Sequence, residues 1–296
     1  MQVLLGRQGC GSVQEVILQV TKVNCCKVMR HTPSDISKIA TTLQLYAPLL
    51  DGEEIWVEQN AAEQELTRIV GADQLPSSLA ADTDRERNVK LRHDVSKLWN
   101  EAVATNRSNL AFELSRWIVK DWGGIRNISD TTIKEHHYKA LGRFEALPFE
   151  GVASSSKVFS LVDPMEFQIY DARVAVSLNV LQLAANTDTR IYFEVPQTQI
   201  TWISGSRDCF FARIPKAAFL EDFGFSDLPE SEIYRYYTKL LLKLGVEAEP
   251  QLDPIEVEMA LFGLAYPFSQ NTEGALSEIL AAERARLRAT QSAGGA

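Results

Sequence analysis

The chain has 296 residues, of which 45% are hydrophobic and 23% charged, and a formal net charge of −9, a balance typical of soluble globular proteins with room for one large domain or two lobes. No apolar run approaches the ~20 residues of a membrane span, and the opening MQVLLGRQGC lacks the charged-then-apolar layout of a secretory signal, so a cytoplasmic location without a membrane partner is expected. The acidity counts against nucleic acid as a partner, but it is uneven. Residues 85–157 carry thirteen Lys/Arg against nine Asp/Glu, a local +4 inside a remainder of −13, and a basic middle of this kind permits phosphate contact.

In chain order, the first 30 residues are the hardest to place; EVILQVTKVN reads either as a strand or as a short buried helix. Ser34 or Asp35 caps a helix through ISKIATTLQLYAPLL, and a second helix over 59–71 closes at Gly71. The mixture PSSLAADTDRER at 76–87 reads as a linker. Helices are expected at 88–105 and 108–121, the latter ended by Gly123-Gly124, and another opens at Thr131 and is broken by Pro148. A turn, a short helix at 152–162, a tight connection at Asp163-Pro164, an extended FQIY and a helix from Ala172 follow. RIYFEV is the best strand candidate. Further helices are expected at 230–244, 254–265 and 274–290, with QSAGGA frayed. The fold class is therefore mainly α with at most a small β element. The expected division is an N-terminal region at 1–80, a core at 85–265 and a C-terminal helix and tail at 266–296.

Cys10, Cys25, Cys26 and Cys209 are too few and too irregular for a disulfide framework or a zinc set, and neither a metal nor a cofactor is expected. Motifs for dinucleotide binding, P-loops, metalloproteases and zinc deaminases are absent, and none of the four histidines has an elbow serine.

The informative block is 146–183. Leu147-Pro148 followed by Gly151 makes a compact hairpin between helices, and Ser154, Ser155 and Ser156 open the second helix, where hydroxyls and the helix dipole favour an anion. Asp171 directly precedes an apolar helix and takes its N-cap, so its charge is favoured and its carboxylate stays ionised at neutral pH. A carboxylate held near an anomeric carbon stabilises oxocarbenium charge and directs water.

LPFEGVASS followed by FQIYDARV resembles the core of the helix-hairpin-helix DNA glycosylases, the superfamily of 8-oxoguanine-, alkyladenine- and endonuclease III-type enzymes, and PIEVEMALFGLAY resembles the closing helix of the 8-oxoguanine-glycosylase fold. The likeness is most specific over 130–185 and extends over 85–265. It implies a two-lobed helical enzyme, a monomer, that flips a modified or damaged base out of double-stranded DNA and cuts its N-glycosidic bond. On this likeness Asp171 is the catalytic carboxylate. Gly151, Ser154, Ser155, Ser156, Arg173, Lys120 and Arg126 would contact DNA, and Trp122 and Tyr170 would line the base pocket. Phe149-Glu150 stands where the family has glycine. Lys157 is the one nearby candidate for a Schiff-base lysine, yet it precedes Asp171 by 14 residues, about one helical turn less than the family's spacing. A monofunctional enzyme leaving an abasic site is therefore expected. Because this fold type also occurs in phage defence, a hypermodified base such as glucosylated hydroxymethylcytosine is one candidate target.

Each residue also has a plainer reading. Asp171 alone is a structural cap, and Arg173 either binds phosphate or pairs with Asp163 or Glu166. Trp117 belongs to the core. His136-His137 reads as a solvent-facing pair or as a DNA contact, and one of Tyr234, Tyr236 and Tyr237 faces outward or into a cleft. Two other classes stay open: a non-catalytic helix-hairpin-helix DNA-binding protein and a helical protein-interaction domain.

Overall fold

The structure, a computed structural model, describes residues 30–46, 59–71, 84–142, 149–197, 214–270 and, within 281–289, all but 284 and 287. EVILQVTKVN, the four cysteines and Leu147-Pro148 lie outside the described residues. His31–Ala296 forms one compact unit, so the helices at 33–70 belong to the same body as those after residue 84.

The protein is mainly helical. The helices are α1 (Pro33–Tyr46), α2 (Gln59–Val70), α3 (Asp84–Ala104), α4 (Ser108–Trp117), α5 (Asp130–Leu141), α6 (Val152–Phe159), α7 (Ala172–Ala184), α8 (Lys216–Glu221), α9 (Glu230–Glu247) and α10 (Pro254–Gln270). A two-stranded parallel pair, β1 (Arg190–Tyr192) and β2 (Phe225–Asp227), joins them, with Ile191 opposite Ser226. RIYFEV thus forms a strand over its first three residues only. The expected single helix over 108–121 departs from α geometry at Ile118, where a π-helical turn runs to Trp122.

The helices pack in two groups. α2, α3, the π turn and α5 pack against α4, with α6 against α5 and the π turn, while α1, α10 and β1 gather around α7 and α9 packs on α1 and α10. Contacts between α3 and α10 join the groups. α7 is the centre of the second group: all of its residues from Val174 to Leu183 are buried, the polar Ser177, Asn179 and Gln182 among them. Its two buried amides do a strand's work. Asn179 Nδ2 donates to Phe193 O at 2.8 Å and Asn179 Oδ1 accepts the Phe193 amide at 2.9 Å. Gln182 repeats the pattern on Ile191, at 2.9 and 2.7 Å. These bonds satisfy backbone groups of Ile191 in β1 and of Phe193 just after it.

Trp117 is fully buried, with its indole N–H donating to Ala62 O at 2.7 Å. His136 and His137 are not a solvent-facing pair. Both are buried, His137 against Trp99 and Phe112 with Nδ1 bonded to Ser115 Oγ at 2.9 Å.

Candidate active site at the junction of the two helix groups

Gly151 heads α6 with φ of +72°, a left-handed conformation that glycine adopts without the penalty of a Cβ. Three amides of this turn are already bonded: Val152 N donates to Phe149 O, and Ser154 N and Ser155 N donate to Gly151 O. The three serines face inward. Ser154 Oγ donates to Gly151 O at 2.9 Å and lies 3.0 Å from His136 Nε2, so Nε2 carries the proton that Ser154 accepts. Ser155 Oγ points at Val152 O, and Ser156 Oγ accepts the Tyr170 amide at 3.1 Å. All three are buried. Hydroxyls at this helix start were expected to face an anion; packing against α5 and the 168–170 segment turns them into the protein instead.

Residues 168–170 run extended into Asp171. Four side chains from three elements hold this backbone: Tyr234 OH donates to Gln168 O at 3.0 Å and Tyr237 OH to Ile169 O at 2.7 Å, both from α9. Glu258 Oε2 on α10 accepts Ile169 N at 2.6 Å, and Ser156 on α6 takes Tyr170 N. Glu258 Oε1 in turn binds Arg92 Nη1 of α3 at 2.5 Å, with both side chains 2% exposed. Of the three tyrosines, Tyr234 and Tyr237 are buried, while Tyr236 bonds His31 through its hydroxyl.

Asp171 caps α7. Its Oδ1 accepts Arg173 N at 3.0 Å and Val174 N at 3.2 Å, and its Oδ2 accepts Arg173 Nε at 3.2 Å and Nη2 at 3.1 Å. Burial pushes this carboxyl upward, but the Arg173 guanidinium, the Lys157 ammonium and the helix amides outweigh it and hold the group below the ordinary carboxylate range. Arg173 pairs with neither Asp163 nor Glu166; it folds back on Asp171 and stacks 3.5 Å above the Phe262 ring.

Lys157, in the last turn of α6, is 3% exposed and donates to Ala153 O at 2.8 Å. Burial pushes its ammonium down to about 8, opposed by Asp171 and reinforced by Arg173. The side chain lies against the end of the π turn. A Cβ on Gly123 would stand 2.5 Å from Lys157 Cε and 2.6 Å from Cδ, so glycine is what lets the lysine pass.

The remaining candidates are spread more widely. Tyr170 is a core residue rather than an open wall: it is fully buried, with its hydroxyl on Glu194 O at 2.7 Å and its ring edge-on to Tyr237 and Phe149. Trp122, half-buried at the end of the π turn, donates to Asn88 Oδ1 at 3.3 Å. Lys120 is paired with Asp130 at 2.6 Å, and Arg126 is exposed after the glycines. Lys157, Asp171 and Arg173 thus come together, with Trp122 reached through its neighbour Gly123, whereas Lys120 engages the start of α5.

Sequence reading missed Arg92 and Glu258, and it named Gly123 and Tyr237 without their roles beside Lys157 and Ile169. Glu258 did carry a signal, as a carboxylate in the otherwise apolar run VEMALFGLA; Arg92, in a charge-rich helix, carried none. Among the described residues, no group of three or more His, Cys, Asp and Glu is placed to hold a metal ion, and no helix is long and apolar enough to cross a membrane. Comparison with known proteins gives no match to a family model, to a curated protein or to a solved structure.

Proposed function

We propose that this chain is a DNA glycosylase that hydrolyses the N-glycosidic bond of a modified or damaged base in double-stranded DNA and leaves an abasic site. The observation that carries this reading is the meeting of an ionised, buried Asp171 with a buried Lys157 at the head of α7. Both titrations are displaced downward, and displaced titrations in neighbouring buried groups are a mark of functional sites. Asp171 stabilises the oxocarbenium-like sugar and orients the attacking water. Arg173 and the first amides of α7 keep its charge in place until the sugar arrives. Lys157 is mostly protonated at neutral pH, with roughly a tenth neutral at pH 7 for a group titrating near 8, and serves as the counter-charge to Asp171.

A hypermodified phage base is the substrate class this reading favours, on the likeness of fold type alone. A second reading, a DNA-binding module without chemistry, is favoured by one observation: every bond to the Asp171 carboxylate comes from its own helix start. The two readings part on pH. Hydrolysis with Lys157 as counter-charge gives base release that falls as pH rises past about 8. A Schiff-base route needs the neutral amine, so nicking would rise over the same range, and borohydride would trap a covalent adduct. A binding module gives neither signal while retaining salt-dependent duplex affinity. The test is a panel of modified duplexes, phage-derived DNA included, probed with alkali for abasic sites with the wild type and with Asp171→Asn.

A further inference from the structure

We infer that Glu258, clamped by Arg92, is a positioning residue that sets the orientation of Asp171 through the Ile169 amide. The inference rests on Asp171 acting at the sugar, but its geometry stands apart from any reaction. Ile169 lies two residues before Asp171, and its amide is held by Glu258 Oε2 at 2.6 Å. The other carboxylate oxygen is fixed by Arg92 Nη1 at 2.5 Å, so the pair bridges α3 of one helix group and α10 of the other. The backbone that delivers Asp171 is therefore anchored to both groups at once.

Stability does not account for this pair. A buried Arg–Glu pair gives no general advantage over apolar side chains of similar size, and this one is incompletely satisfied: Arg92 Nε and Nη2 are buried with no hydrogen-bond partner among the described residues. The Tyr234 and Tyr237 hydroxyls already hold the two carbonyls of the same segment. Glu258 adds the one thing they cannot, an acceptor for the Ile169 N–H. The charge also lies where it is felt, since Glu258 is within electrostatic reach of both Asp171 and Lys157. Charge alone and positioning make opposite predictions. If Glu258 acted only through its negative charge, removing that charge would ease ionisation of Asp171 and lower its titration. If Glu258 holds the segment in register, removing it loosens the Asp171 bonds to Arg173 and Val174, and the titration rises.

The experiment uses the full chain as wild type, Glu258→Gln, the apolar exchange Arg92→Met/Glu258→Met, and Asp171→Asn to identify the Asp171 signal. Side-chain carboxyl carbons are titrated by NMR, and single-turnover base release and duplex affinity are measured alongside. The expected result is an upward shift of the Asp171 titration in Glu258→Gln, with release slowed about 10- to 100-fold, the scale of a small misplacement, and unchanged duplex affinity. The double exchange supplies the same readings if Glu258→Gln folds poorly. An unchanged or lowered Asp171 titration in a folded variant overturns the inference. If the wild type releases no base from any duplex, the glycosylase reading fails instead, and the titration still decides the role of Glu258.

Discussion

Asp171 and Lys157 show how the same burial acts differently on two ions. The carboxylate has helix amides and a guanidinium to replace water, so it stays charged; the ammonium has one carbonyl, so it is pushed toward neutrality. The sign of the resulting linkage differs for the two groups. For Asp171 the native titration lies below that of the unfolded chain, so its contribution is present above the unfolded value near pH 4 and lost as pH falls through the native value. For Lys157 the native value of about 8 lies below the unfolded value near 10.4. Between them the unfolded chain binds more protons, so stability rises with pH over that interval. Lys157→Met is therefore expected to stabilise the protein at pH 7, on the order of 3 kcal/mol, and to remove that alkaline rise. Denaturant unfolding at pH 7 and pH 9.5 checks this, and a variant less stable than wild type at both values contradicts it. Gly123→Ala belongs to the same site. Its methyl would meet Lys157 Cε at 2.5 Å and Ile118 O at 2.7 Å, and a loss of about 1–3 kcal/mol is expected from such overpacking, measured by thermal unfolding.

At the scale of elements, the ends of the helices and the apolar runs were legible and the turns that aim side chains were not. The Asp171 cap, the apolar α7 and the buried Trp117 follow from spacing and residue type alone. The inward turn of Ser154, Ser155 and Ser156 does not, because a serine at a helix start has the same local signature whether its hydroxyl meets solvent or a packed neighbour. The π turn at Ile118–Trp122 was equally invisible: it packs against α2 and α6, distant partners that its own residues do not announce. The pairing of Asn179 and Gln182 with β1 makes a prediction at this scale. Gln182→Leu leaves the Ile191 amide and carbonyl and the His31 ring without their partner, with an expected loss of about 1–3 kcal/mol or more. Asn179→Leu is expected to behave alike, and hydrogen exchange at Ile191 and Phe193 reports which bonds open first.

Across the whole molecule, the candidate site sits where two groups of helices meet, and polar contacts cross the junction beside aromatic ones: Arg92 with Glu258, Ser156 with Tyr170, and Lys157 beside Asp171. That arrangement was out of reach of sequence reading, because Arg92 and Glu258 are separated by 166 residues. The net charge of −9 sets a second expectation at this scale. Duplex binding that depends on a local basic region in an acidic protein should weaken steeply with salt, and a titration between 50 and 200 mM salt shows it; affinity indifferent to salt argues for a protein partner. The most direct measurement of the central claim is release of free base from modified duplexes by wild type and Asp171→Asn. Asparagine still caps α7, so the variant is expected to fold and bind DNA while release falls at least ~100-fold, the scale for losing one electrostatic stabiliser. Equal release by the two proteins, or none by the wild type on any duplex, contradicts the account.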